Sequence, residues 1–238
     1  MVPRALESSP RRLARTTGLF YLLTILAGIC AQLFISGQLV VYGDAAATAA
    51  NLLAHKRLFE LGFSIYLLEM ACQVAMTALF YILLKPVSSS LALLAACWSL
   101  TGCVIKTLSR LFYLAPLLVL GGTHDMTAFQ PEQLQALALL FLKLNDQGAA
   151  LALAFFGFST SLNGYLMFRS TFLPRIIGGL SALAGVGWLT FLYPPLGYRL
   201  FPFVAPFALL VAAVLIFWLL RKGVDVQRWQ ERAGAKAM

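Results

Sequence analysis

The sequence predicts an all-α fold: a polytopic membrane helix bundle of six transmembrane helices with two short outer interfacial helices. Three observations predict it. Of 238 residues, 61% are hydrophobic and 11% charged, against about 45–50% and about 25% in a soluble domain. Six stretches reach the roughly 20 apolar residues that a helix needs to cross a hydrocarbon core of about 30 Å. No long polar linker divides them, so 18–220 reads as one membrane domain between basic tails at 1–17 and 221–238.

The first stretch, Gly18–Tyr42, exceeds the roughly 7–15 residues of a signal-peptide core, so it is expected to be a retained helix. Ala-Gly-Ile-Cys30 departs from a lipoprotein cleavage box in its bulky Ile29. Gly43 and Asp44 then introduce Ala45–Phe59, where Asp44 suits an N-cap. Leu61–Leu84 and Leu91–Leu120 follow, joined by the short Lys85–Ser90. After Gly121, Gly122, His124 and Asp125 comes Glu132–Leu144, with Pro131 suited to a first helical turn. Each long connection is thus expected to carry an interfacial helix, and the likeness suggests a weak repeat of span, outer helix, span. Gln147–Phe168 and Ile176–Tyr193 are the fourth and fifth spans. The fifth is rich in small residues, among them Gly178, Ala182 and Gly185, which permit close helix packing or dimerisation. Pro202 and Pro206 are expected to kink or irregularly start the sixth, Leu200–Leu220.

Six spans place both termini on one side. That side gathers Arg4, Arg11, Arg12, Arg15, Lys85, Arg169, Arg175, Arg221, Lys222, Arg228, Arg232 and Lys236, against Lys56, Arg57, Lys143 and Arg199 on the other. The positive-inside rule makes the richer side, with both termini, cytoplasmic, and the basic flanks are expected to attract anionic lipid heads. The net charge of +9 is explained by these flanks, and no aromatic-interleaved basic patch points to nucleic acid. Cys30, Cys72, Cys97 and Cys103 all fall in apolar spans without a CxxC pair, as buried thiols would.

The chemistry lies in charges within the spans, where charge is costly. Lys106 and Arg110 lie four apart, on one helix face. Glu69 is the one acid of Leu61–Leu84. At about 1.5 Å per residue, Glu69 falls about 12 Å below the outer boundary and Lys106 about 8 Å below it. An ion pair between them is therefore expected, with Arg110 a turn higher and snorkelling outward. Tyr66 and Gln73 share Glu69's face, Ser99, Gly102, Cys103 and Tyr113 share that of Lys106, and Asn145, Asp146 and Gln147 open the fourth span. Ser159, Thr160 and Asn163 add polar groups within it. Two readings stay open. One is a polar cavity between spans two, three and four, with Glu69, Gln73, Lys106, Arg110, Asn145 and Asp146 as binding residues for a small anionic ligand. The other is a structural salt bridge with Arg110 beside Asp146. His55 and His124 are the two histidines, each in an outer connection, and they suggest neither metal nor haem. No catalytic motif, metal-ligand spacing or cofactor fingerprint stands in the chain, so an enzyme is the least supported class and no cofactor is expected.

The order of motifs carries a resemblance. The blocks are Gly43–Asn51, His55 with Leu58–Phe63, Tyr81–Val87, Leu91–Ala95, Gln133–Ala138, Phe155–Gly157, Gly164–Leu166 and Arg169–Arg175. In these, from about Arg12 to Gly223, the chain resembles a bacterial family of integral membrane proteins known only as domain of unknown function four-three-eight-six. The resemblance implies a membrane bundle and no particular activity, substrate or cofactor. It also implies an acid at the place of Gln73, an arginine at that of Ser99 and a histidine near Asn145; this chain departs at all three. Binding or transport of a small anionic molecule or lipid is the leading expectation. The alternative is an accessory or sensor subunit whose small-residue fifth span, with Gly178, Ala182 and Gly185, and basic C-terminal tail contact a partner, or a second copy, and lipid.

Overall fold

The computed structural model describes residues 9–121 and 129–234. Among the described residues there is no strand, and six helices are long and apolar enough to cross a membrane: α1 (Pro10–Leu39), α3 (Lys56–Leu84), α4 (Ser89–Leu120), α5 (Pro131–Arg169), α6 (Arg175–Leu192) and α7 (Pro194–Arg221). The shorter α2 (Ala45–Ala54) precedes α3, and α8 (Val226–Gly234) follows α7. Even α6, with 18 residues, extends about 27 Å at about 1.5 Å per residue. The fold is an all-α membrane-type helical bundle.

Of the two expected outer helices, the first is separate and the second is not. Gly43, at φ 103°, turns the chain out of α1, and Asp44 caps α2 by accepting from the Ala47 amide at 2.9 Å. His55, at φ −119° and ψ 35°, ends α2. The segment expected as an interfacial helix before the fourth span instead runs unbroken into that span as the 39 residues of α5. The reason lies at the join. Asn145 and Asp146 are poor helix formers when their side chains bond back to the backbone. Here both bond sideways to other side chains, and the helical ladder continues. The likeness of the two connections therefore stops short of a repeated unit.

Three smaller departures concern boundaries. Pro10 begins α1, so helix reaches into the expected N-terminal tail, and α1 passes through a π-helical stretch, Cys30–Ser36. Pro202 and Pro206 lie inside α7, which starts at Pro194. The C-terminal tail contains the docked helix α8, whose buried Trp229 donates from Nε1 to the Leu83 carbonyl at 3.0 Å. Arg4 and Lys236 lie outside the described residues.

The chain forms two compact units. Unit one comprises Met1–Leu23, Cys72–Cys103 and Leu151–Met238; unit two comprises Thr24–Ala71 and Val104–Ala150. The core of unit one gathers Leu13, Leu83, Leu84, Leu166, Leu219 and Trp229. Within it α5 and α6 touch at their backbones. A Cβ on Gly164 would strike Ala182, one on Gly178 would strike Phe168, and one on Gly185 would strike Ser161. The small residues of the fifth span thus serve packing inside the chain. Unit two has its own core of Ile35, Leu52, Phe59, Tyr66, Tyr113 and Leu142, with the Phe59 and Tyr113 rings stacked at 4.1 Å.

Candidate functional site

The expected ion pair is present in unit two. Lys106 Nζ on α4 donates to Glu69 Oε1 on α3 at 2.5 Å, with side chains 19% and 7% exposed. Gly28 on α1 makes room for the pair: a Cβ there would sit 3.1 Å from Glu69 Oε1. The second carboxylate oxygen, Glu69 Oε2, is buried and has no hydrogen-bond partner among the described residues.

Arg110 corrects an expectation. It does not snorkel outward; it is only 3% exposed. Its Nη1 donates to Asn145 Oδ1 at 2.9 Å, and its guanidinium carbon lies 3.6 Å from the centre of the Tyr66 ring. The ring face and the amide oxygen offer the cation an alternative to water. Asp146 is reached only at one remove, since Asn145 Nδ2 donates to Asp146 Oδ1 at 3.0 Å and the Tyr42 hydroxyl also donates to Asp146. No carboxylate forms a salt bridge with Arg110 among the described residues, and its Nε is buried without a partner there.

The network extends into α1. Tyr66 donates from its hydroxyl to Gln32 Oε1 at 2.7 Å and meets Ser36 Oγ at 3.0 Å, while Ser36 donates to the Tyr113 hydroxyl at 3.2 Å. Gln32, Ser36 and Tyr42 are members that sequence reasoning missed. The signal for the first two was available: two polar residues four apart in the first span share one helix face. Tyr42 gave none, because a tyrosine at a helix end is usual in a membrane protein.

Gln73 belongs to unit one and does not join this network. Its Nε2 donates to Ser99 Oγ at 3.4 Å, and Ser99 Oγ lies 2.6 Å from Thr77 Oγ1. Together with Ser159, Asn163 and Ser181 these residues line a cavity of about 180 Å³. Every polar group named there is uncharged, and Ser181 Oγ is buried without a partner among the described residues. Of the six residues expected to form one site, five stand in unit two, and Gln73 helps line this second polar space.

The remaining candidates fall elsewhere. His55 Nδ1 lies 3.2 Å from the Asn51 carbonyl at the end of α2. His124, Asp125 and Gly122 lie outside the described residues. Cys72 and Cys103 are buried as expected, Cys30 is half-buried, and Cys97 is exposed on the face of α4, which in a membrane-spanning helix is an ordinary place for a small thiol. Among the described residues no group of three His, Cys, Asp or Glu side chains is placed to hold a metal.

Chemically, the unit-two network offers a half-buried ammonium, a buried guanidinium, two carboxylates and a set of hydroxyls and carboxamides. That is an arrangement for holding charge, shielded from water at Glu69 and Arg110 and open to it at Tyr42. No curated protein and no solved structure matches the chain. A family model described as Domain of unknown function (DUF4386) matches residues 16–223, and the chain belongs to that family.

Proposed function

We propose that this is a bacterial inner-membrane protein, with both termini cytoplasmic, that binds or transports a small anionic molecule or a lipid head group through Lys106 and Arg110. The orientation rests on the twelve cations of one side against four on the other. It places the unit-two network in the outer half of the membrane.

The observation that carries the binding reading is Arg110. A buried cation normally needs an opposite charge beside it. Among the described residues it is held by one amide oxygen and one ring face, with Nε unpartnered. An anionic group has donors waiting at Arg110. Lys106 is a second cation one helical turn away on the same face. Glu69 sets the charge balance when the site is empty and can release Lys106 to a ligand. Asn145, Asp146 and Tyr42 would then steer the guanidinium.

The accessory-subunit reading draws on the small residues of the fifth span and on the basic C-terminal tail. Gly178 and Gly185 are packed against α5 within the chain, which favours the binding reading over it. Native mass spectrometry of gently purified protein, with release and identification of what co-purifies, tests the proposal. The expected result is an anionic species that is lost in Arg110→Gln, with the helical circular-dichroism signal unchanged. A bare wild-type protein, or a variant that retains every anionic species the wild type holds, assigns the charges to structure alone.

A further inference from the structure

Unit one has a larger concavity, at the ends of its helices, that owes nothing to the residues above. It has a volume of about 640 Å³, within the roughly 300–1,000 Å³ usual for ligand pockets. Arg11 lines it from the start of α1, Trp218 and Lys222 from the end of α7, Phe172 from the connection between α5 and α6, and Arg228 from α8. From these residues we propose that the pocket binds the phosphodiester head group of an anionic phospholipid.

The charge balance comes first. Arg11, Lys222 and Arg228 stand against one lining acid, Asp225. That acid is already engaged. It lies 3.3 Å from Arg228 Nε and accepts from the Arg228 amide at 3.2 Å as the cap of α8. Arg228 is pinned further by donating from Nη1 to the Thr171 carbonyl at 3.1 Å. Arg11 and Lys222 are exposed, and among the described residues neither forms a salt bridge. Lys222 Nζ lies 4.5 Å from the Trp218 ring centre, which orients it without neutralising it.

The walls are built rather than incidental. Gly223, at φ 69°, turns the chain sharply out of α7, a conformation that favours glycine. A Cβ there would also stand 3.2 Å from Arg11 Cγ, so the stem of Arg11 packs against the turn. Beyond it, Val224 is buried, the Asp225 amide donates to the Phe172 carbonyl at 3.2 Å, and Trp229 anchors α8. Exposed cations stand beside Phe172, Leu173, Pro174 and Trp218 in one lining. That mixture suits a molecule with a phosphate and an apolar body, at the level where membrane helices end. Basic pockets at this level are places where acidic head groups lodge.

Native mass spectrometry of the full chain tests this by titration with dioleoyl phosphatidylglycerol and with dioleoyl phosphatidylcholine. The anionic lipid should be retained at least about tenfold more tightly. Each of Arg11→Gln and Lys222→Gln should weaken it about fivefold, and the two together about 25-fold. Lys222→Arg should retain it, and Arg221→Gln, which removes a cation outside the lining, should leave it unchanged. Equal retention of the two lipids overturns the proposal. So does an Arg221→Gln loss as large as that of Lys222→Gln, which marks a diffuse charge effect. Displacement of the lipid by millimolar inorganic phosphate overturns the lipid assignment in favour of a soluble phosphate ligand.

Discussion

Both units bury polar side chains inside apolar helices, yet they do so on different terms. Among the described residues of unit one the buried polar groups are hydroxyls, such as Thr77 and Ser99, joined by the half-buried carboxamide of Gln73. A hydroxyl can satisfy itself on its own helix: Thr77 donates to the Gln73 carbonyl at 2.8 Å. In unit two the groups include the buried Glu69 and Arg110 and the half-buried Lys106, and no turn of helix satisfies a charge. Each must find another charge, a ring face or a ligand. Neutral polar groups therefore leave unit one tolerant of single changes at its cavity, while the members of the unit-two network depend on one another.

The largest expected effect follows from that dependence. Glu69→Ala strands Lys106 in a site that is only 19% open to solvent, and it should cost about 3–5 kcal/mol. The double variant Glu69→Ala/Lys106→Ala should recover most of the loss. Unfolding of the protein in mixed micelles by a graded denaturing detergent measures both. A Glu69→Ala variant as stable as wild type, or a double variant worse than either single one, would remove the contrast between the units. Next in size is a steric test in unit one. Gly164→Ala puts a Cβ against the backbone of Ala182, which has no rotamer to yield, and should cost about 1–3 kcal/mol. Gly179→Ala meets only the Phe168 ring at 3.8 Å and should be neutral or stabilising, as alanine favours a helix by about 1 kcal/mol. Equal effects at the two glycines would mean that α5 and α6 are less closely packed than their geometry requires.

The fold was legible because membrane helices announce themselves through length and hydropathy, and the Glu69–Lys106 pair because helical rise converts residue number into depth. What escaped was settled by neighbours rather than by local pattern. Arg110 was expected to snorkel because nothing in its own helix reveals Tyr66 lying flat beneath it. The unbroken α5 was missed because Asn145 and Asp146 read as a boundary until their partners on other helices are known. Gln73 shares a face with Glu69, yet four residues carry it about 6 Å along the axis, and there it pairs with Ser99 instead. The π-helical stretch that carries Ser36 towards Tyr66 and Tyr113 has no composition of its own.

The smallest effect sharpens the comparison most, because it measures what a neutral contact contributes. Thr77 spends its single proton on the Gln73 carbonyl, so the 2.6 Å contact with Ser99 requires Ser99 to donate. Ser99 in turn accepts from Gln73 Nε2, which closes a ring of donors running one way. A double-mutant cycle of Thr77→Val and Ser99→Ala should give a coupling near 0.6 kcal/mol, the usual size for polar contacts between membrane helices. The value stays small because groups released by either change face the cavity of about 180 Å³ and the hydrogen-bonding side chains that line it, where water can replace the lost partner. A coupling above about 1.7 kcal/mol, the upper end for such contacts, would show that neutral partners in unit one are as interdependent as the charges of unit two. The contrast would then rest on packing alone.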